Sequence, residues 1–253
     1  MDVLQNVQRA GRVGDGLEDM LDGDNGIRRG LGHERLFVLN RRDFILTTAA
    51  LGSAGAWTAA AAQAPAGKPV ILVLGDSLSA EYGLKRGEGW VPLLEKRLAQ
   101  QKIAASVVNA SISGDTSSGG RARFPALLAQ HKPSHVVLEL GANDALRGLP
   151  LSNTEDNLLQ ITKAAQAAGA RVLIVGIQVP PNYGGDYTRR FEAVFAKVAG
   201  TTKSALVPFL LKGVADAPDA MTLFQSDRIH PTAAAQPQIL DNVWPELRKL
   251  LPK

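Results

Sequence analysis

The chain is predicted to be an α/β protein, a three-layer α/β/α domain on a parallel sheet of about five strands. Two observations predict it. From Pro65 onward, short apolar runs alternate with longer amphipathic stretches, the order expected of β-α-β crossovers whose helices cover both faces of a sheet. The runs are also apolar almost throughout, as in Val70-Ile71-Leu72-Val73-Leu74. A strand reads that way when neither of its faces meets water.

The elements follow in order. The first strand is expected at 70–74 and ends on a Gly-Asp-Ser turn; a helical pattern follows at 89–101. Strands are then expected at 105–109, 135–140 and 171–177, with a weaker one at 205–208. Between them lie helical patterns at 119–130, 154–168 and 187–202, and a last helix is expected at 232–251. Because proline lacks an N–H donor, this last helix is expected to be interrupted near Pro237 and at Pro245. Residues 65–253 contain neither an internal repeat nor a low-complexity linker, so they read as one domain of ordinary size.

Composition excludes several classes of function. Apolar residues make up 45% of the 253 and charged residues 21%, as in soluble globular proteins. There is no cysteine, which removes disulfides, a thiolate nucleophile and cysteine-based metal centres. The net charge of +4 is spread along the chain, with 5% aromatics; a nucleic-acid surface would need a basic stripe or stacking rings. Neither a spaced glycine triplet nor Gly-Lys-Ser/Thr follows the first strand, which argues against a nucleotide site. His131 and His135 have the spacing of a metal pair on a helix, but Pro133 separates them and no acidic cluster accompanies them. No metal or cofactor is expected.

The first 64 residues are expected to lie outside the fold. Arg41-Arg42-Asp43-Phe44 precedes a weakly apolar stretch rich in Ala, Gly and Thr, which resembles a twin-arginine export signal. Small residues at 59–64 offer cleavage points, after Ala61 or Ala62. A membrane anchor fits less well, since the stretch is short and holds Gly52, Ser53 and Gly55. Residues 1–40 are glycine-rich and acidic, without apolar periodicity, and read as a disordered leader. Translation is expected to start near Leu36–Leu39. Export would make the cell's export machinery a partner and place the domain in the periplasm or outside the cell.

Four segments carry the chemistry: Gly75-Asp76-Ser77-Leu78-Ser79, Asn109 through Thr116, Gly141-Ala142-Asn143-Asp144, and Asp227-Arg228-Ile229-His230-Pro231. The first three follow strands, and a parallel sheet gathers strand ends on one edge. Ser77 is a candidate nucleophile, weak until a base takes its proton. His230 is the candidate base, and Asp227, three residues earlier, can reach its Nδ1–H and fix the tautomer. Candidate oxyanion donors are the backbone N–H groups of Ser77 and Gly114 and the Asn143 side-chain amide. The plainer alternatives are an Asn143 that only caps its turn and a Gly114 that only permits positive φ. Asp115 and Asp144 read as structural turn residues, and Asp76 as shaping the serine's turn. The Pro/Gly-rich stretch at 179–186 follows a strand's carboxyl edge and is expected to line an acyl groove.

These segments resemble the SGNH (GDSL-type) hydrolase superfamily, and the stretches at 77–84 and 111–116 narrow the likeness to its arylesterase, thioesterase I and lysophospholipase branch. The resemblance spans residues 69 to 250. It implies a flavodoxin-like fold and a serine esterase acting on short- to medium-chain acyl esters, thioesters or lysophospholipids, as a monomer or small homo-oligomer. It also implies Ser77, Asp227 and His230 as the triad, with Ser77, Gly114 and Asn143 as the oxyanion hole. Two residues depart from the pattern: Glu81 where a small residue is expected, and Arg228 in place of glycine. Both are expected at the mouth of the site. A carbohydrate O-deacetylase is the second reading, disfavoured by only three Trp and three Tyr. The third is a non-catalytic binding protein, which would need no nucleophile–base pair.

Overall fold

The computed structural model describes residues 67–179 and 181–252. The expected leader, the twin-arginine-type segment and its cleavage points lie outside the described residues. Within them, β1 (Val70–Gly75), β2 (Ser106–Asn109), β3 (His135–Glu139), β4 (Arg171–Val175) and β5 (Ala205–Val207) form one sheet. Its order is β2-β1-β3-β4-β5, and every pairing is parallel. This is the expected three-layer architecture. The chain winds from β1 outward to β2, then crosses back to place β3 on β1's other side. Such a reversal opens a crevice at the carboxyl ends of the two strands, and the register pairs Gly75 with Glu139 there.

The central strands form because their apolar side chains lose water on both faces: Ile71, Leu72, Val73, Leu74, Val137 and Leu138 are all fully buried. The helices are α1 (Trp90–Gln100), α2 (Ser117–His131), α3 (Ala142–Leu146), α4 (Leu151–Ala167), α5 (Gly185–Thr202), α6 (Ala220–Leu223) and α7 (Gln236–Leu250). On one side of the sheet α1 packs on α7; on the other α4 lies between α2 and α5. Helix α1 buries Trp90, Val91, Leu94 and Leu98, a stripe along one face, and α7 answers with Ile239, Leu240, Val243 and Leu247.

The helix ends differ from expectation for local reasons. Helix α2 begins at Ser117 because the Thr116 hydroxyl accepts the Gly119 N–H (3.2 Å) and caps it. Pro237 does not interrupt α7 but sits in its first turn, where no N–H is required. Pro245 lies within α7 without ending it, and a 3₁₀ turn at Ala233–Ala235 precedes the helix. His131 closes α2 and His135 opens β3; among the described residues no group of three or more His, Cys, Asp or Glu side chains could hold a metal ion. No described helix is long and apolar enough to cross a membrane.

Trp90 joins core to site. Its ring is fully buried, its backbone N–H donates to Gln236 Oε1 (3.0 Å) and its indole N–H to Ser79 Oγ (3.2 Å). Trp90→Ala is expected to lower the free energy of unfolding by about 3–5 kcal/mol, read by urea titration. A loss below ~1 kcal/mol would mean that α1 is not anchored through this ring.

Candidate active site

The chain leaves β1 at Gly75 and turns at once. The Asp76 carbonyl accepts the N–H groups of Ser79 (3.2 Å) and Ala80 (3.0 Å), while the Asp76 carboxylate accepts the Leu78 N–H (3.0 Å). This Asx-type turn presents Ser77 in the crevice, and Asp76 shapes it. Among the described residues the Ser77 N–H has no hydrogen-bond acceptor. Glycine is required at 75 by close approach: a Cβ there would lie 2.7 Å from Glu139 Oε2 and 2.8 Å from Ser79 Oγ.

Beneath the turn lies a buried carboxyl pair. Glu139 Oε2 accepts the Ser79 hydroxyl (2.7 Å) and the Asp76 N–H (3.3 Å). Burial, reinforced by the neighbouring Asp76 carboxylate, pushes the Glu139 carboxyl well above the usual carboxylate range, against the pull of those two bonds. Burial likewise raises Asp76 to about 6, although Leu78, Asn143 and His230 act in the opposite sense. A carboxyl whose pKa is higher folded than unfolded binds protons more tightly in the native state, so stability falls as pH rises between the two values. Relative to Asp76→Asn, the wild type is therefore expected to lose stability from about pH 4 to about pH 6, by on the order of 3 kcal/mol. Urea titrations of both proteins at intervals across that window check this; a constant difference would contradict it.

His230 comes from the loop after α6. An antiparallel bridge between Phe224 and Pro231 closes that loop, and the Gln225 amide donates to Tyr82 O (2.9 Å) and Pro231 O (3.1 Å). Gln225 thereby ties the histidine loop to the serine turn. Asp227 Oδ1 accepts the N–H groups of Ile229 (2.9 Å) and His230 (3.0 Å), and Oδ2 lies 2.7 Å from His230 Nδ1. On the far side of the ring, Nε2 lies 2.8 Å from Ser77 Oγ. Burial pushes the Asp227 carboxyl up, but the hydrogen bonds from His230 and Ile229 outweigh it and bring it to about 2. The contribution of those bonds to stability is present above the unfolded value near 4 and is lost as pH falls through 2. The Tyr82 ring lies over the imidazole, centroids 4.2 Å apart.

The expected oxyanion donors border the same crevice. Gly114 has φ +79°, a conformation that favours glycine; its carbonyl accepts from Arg147 Nη2 (2.8 Å), and its N–H meets no acceptor among the described residues. Asn143 rides on α3 directly after β3, and one Nδ2 hydrogen bonds Asp76 Oδ2 (3.0 Å). That bond fixes the amide plane and leaves the second hydrogen for the crevice. Asn143→Ala is expected to lower kcat about 10²–10³-fold with little change in KM, measured by steady-state ester hydrolysis; an equal rise in KM at constant kcat would assign the amide to ground-state binding.

Asp144 and Asp115 hold the scaffold, though not as local turn formers. Buried Asp144 accepts Ser117 N–H (2.8 Å), Ser117 Oγ–H (2.5 Å) and Thr154 Oγ1–H (3.2 Å), joining α2, α3 and α4. Asp115 pairs with Arg123 (2.8 Å).

The crevice opens into a cavity of about 670 Å³ bordered by Ser77, Gly114, Asn143 and His230. Its walls are largely apolar, with Leu146, Ile177, Val179, Phe209, Met221 and Phe224 among them. The stretch expected to form the acyl groove contributes Val179, whereas residues 182–186 do not line the cavity. Of the two departures, Arg228 lines the cavity and Glu81 does not. Glu81 Oε1 instead accepts the N–H groups of Gly87 and Gly89, each at 2.8 Å, and pins the loop before α1.

Sequence reasoning missed Glu139, Ser79 and Trp90 beneath the nucleophile turn, and the walls from Phe209 to Phe224. A charged residue ending an apolar strand, as in His135-Val136-Val137-Leu138-Glu139, was the available signal for the first. The walls carry no comparable signal, because their position follows from the path of an irregular loop.

Comparison with known proteins identifies the family. The GDSL-like Lipase/Acylhydrolase family matches residues 73–236. Esterase TesA of Pseudomonas aeruginosa is 54% identical over 181 residues, covering 72% of this chain and 89% of the relative. Thioesterase 1/protease 1/lysophospholipase L1 of Escherichia coli is 44% identical, covering 72% and 84%. A crystal structure of TesA superposes with a TM-score of 0.69 at 53% identity, covering 72% of this chain and 99% of that one. The chain belongs to the GDSL-like lipase/acylhydrolase family and is a carboxylic ester hydrolase.

Proposed function

We propose that the protein hydrolyses short- to medium-chain acyl esters, with thioesters and lysophospholipids as further substrates, through a Ser77-His230-Asp227 triad. The observation that carries this reading is the unbroken relay from Asp227 Oδ2 to His230 (2.7 Å) and from His230 to Ser77 Oγ (2.8 Å), set at the edge of an apolar cavity. His230 Nε2 takes the Ser77 proton as Oγ attacks the acyl carbonyl, and Asp227 holds the ring in the tautomer that can accept it. Charge developing on the carbonyl oxygen meets the N–H groups of Ser77 and Gly114 and the Asn143 amide. His230 then returns its proton to the leaving atom, and the same imidazole activates water to release the acid.

The walls around Ile177, Phe209 and Phe224 suit an acyl chain longer than acetyl. Kinetics of the full chain on p-nitrophenyl esters from acetate to palmitate test this. A maximum of kcat/KM at four to about eight carbons is expected from the cavity's size and apolar walls. Activity on acetate alone would replace the reading with a sugar O-deacetylase, and the absence of serine-dependent hydrolysis would replace it with a binding protein. We also propose that the chain works in the periplasm or outside the cell, on the strength of the paired arginines and the weakly apolar stretch after them. Fractionating expressing cells tests this; a chain retained in the cytoplasm after Arg41 and Arg42 are left intact would refute it.

A further inference from the structure

Arg228 has φ +58°, a backbone region that glycine enters freely and that a Cβ disfavours. The catalytic turn imposes it: Arg228 lies between Asp227 and the two N–H groups that Asp227 binds. Glycine would fit that turn with less strain, so the arginine is not there for the turn. Residues held in sparsely populated backbone conformations cluster at functional sites. The Arg228 side chain is exposed and lines the cavity beside Ile229 and His230. Its backbone N–H donates to Gln225 O (2.9 Å), whereas among the described residues its guanidinium makes no hydrogen bond or ion pair. The other charged residues on the cavity wall are acids already in use. Asp76 binds Leu78 and Asn143, and Asp216 accepts the Gly213 N–H (2.5 Å).

We propose that Arg228 is a specificity-determining residue that holds a phosphate-bearing leaving group as it departs. The inference deepens the esterase reading and rests on it. His230 Nε2 hands its proton to the leaving oxygen or sulfur, so the leaving group exits past the loop that carries both His230 and Arg228. The acyl chain takes the apolar walls, and the rim is left to the head of the substrate. A guanidinium offers a planar fork of N–H donors that matches phosphate oxygens, two at a time. Its field also steers anionic substrates toward the rim, an effect that salt screens.

The test compares wild type with Arg228→Gly, Arg228→Lys and Arg228→Glu on two substrate pairs. One pair is octanoyl-coenzyme A against the neutral octanoyl-N-acetylcysteamine thioester. The other is a lauroyl lysophosphatidylglycerol against the neutral monolauroylglycerol. The quantity read is the ratio of kcat/KM on the anionic member to that on the neutral one. Arg228→Gly is expected to lower this ratio about tenfold, Arg228→Lys to keep most of it, and Arg228→Glu to lower it further. The difference between variants should shrink in roughly 0.5 M salt. A fall confined to the lipid pair assigns a phospholipid headgroup; one confined to the thioester pair assigns a nucleotide phosphate; both support the proposal. An unmoved ratio in Arg228→Gly and Arg228→Glu on both pairs would overturn it. Absence of serine-dependent hydrolysis of all four substrates would overturn the esterase reading itself, and the proposal with it.

Discussion

Ser77→Ala is expected to abolish nearly all ester hydrolysis, lowering kcat by about 10⁴–10⁶-fold while the protein keeps its fold. The hydroxyl oxygen is the only heavy atom removed, and it lies 2.8 Å from His230 Nε2 at a half-buried position where no core contact is lost. His230→Ala should cost nearly as much, and the double variant little more than either. Members of one relay fail together, because the serine without its base and the base without its serine are equally idle. Single-turnover kinetics on p-nitrophenyl octanoate, with urea titration of each variant, measure both halves of the expectation. A Ser77→Ala protein that retained wild-type turnover would remove the triad from the mechanism. Two single losses that multiplied in the double variant would show two independent contributions instead.

Asp227→Asn is expected to lower kcat about 10⁴-fold near neutral pH. The reason lies in the separate tasks of the two carboxylate oxygens. Oδ1 caps the N–H groups of Ile229 and His230, and the asparagine carbonyl can take over that task, so the loop keeps its shape. Oδ2 accepts from Nδ1, where the asparagine would present an amide donor. The ring must then carry its proton on Nε2, which faces Ser77 as a donor and can no longer receive the serine's proton. Near-normal stability with a lost kcat is the expected pair of results. A comparable fall in stability would mean that the loop, rather than the tautomer, had failed.

Much of this molecule is legible in its sequence because the sheet is covered on both faces. Such strands leave unbroken apolar runs, and the run from Val70 to Leu74 locates β1 and the turn after it. The pieces that escaped are of two kinds. Helix α3 is Ala-Asn-Asp-Ala-Leu, too short for any apolar period to show, so Asn143 read as a turn residue and not as a helical one. Glu139 carries no local mark of its role, because its burial is decided by Ser79 and Asp76, some sixty positions away in the chain. The four candidate segments were legible together because three follow strands and the fourth, Asp227 to His230, lies in the loop before the last helix. Their mutual distances were not, since those follow from the order β2-β1-β3-β4-β5. Pro237 shows the converse. A residue type that reads as a breaker is a helix starter when it falls in the first turn.

Ser77 and His230 are 153 positions apart, one from the opening strand of the domain and the other from the loop that precedes its closing helix. During synthesis the serine emerges from the ribosome long before the histidine does. At the usual elongation rate of roughly 5–20 residues per second, the interval is on the order of ten seconds. Throughout it the nascent chain holds the proposed nucleophile without its proposed base. On the proposed triad, hydrolytic power arrives only once residue 230 has been made, and a chain terminated upstream of it is expected to be inert toward acyl esters.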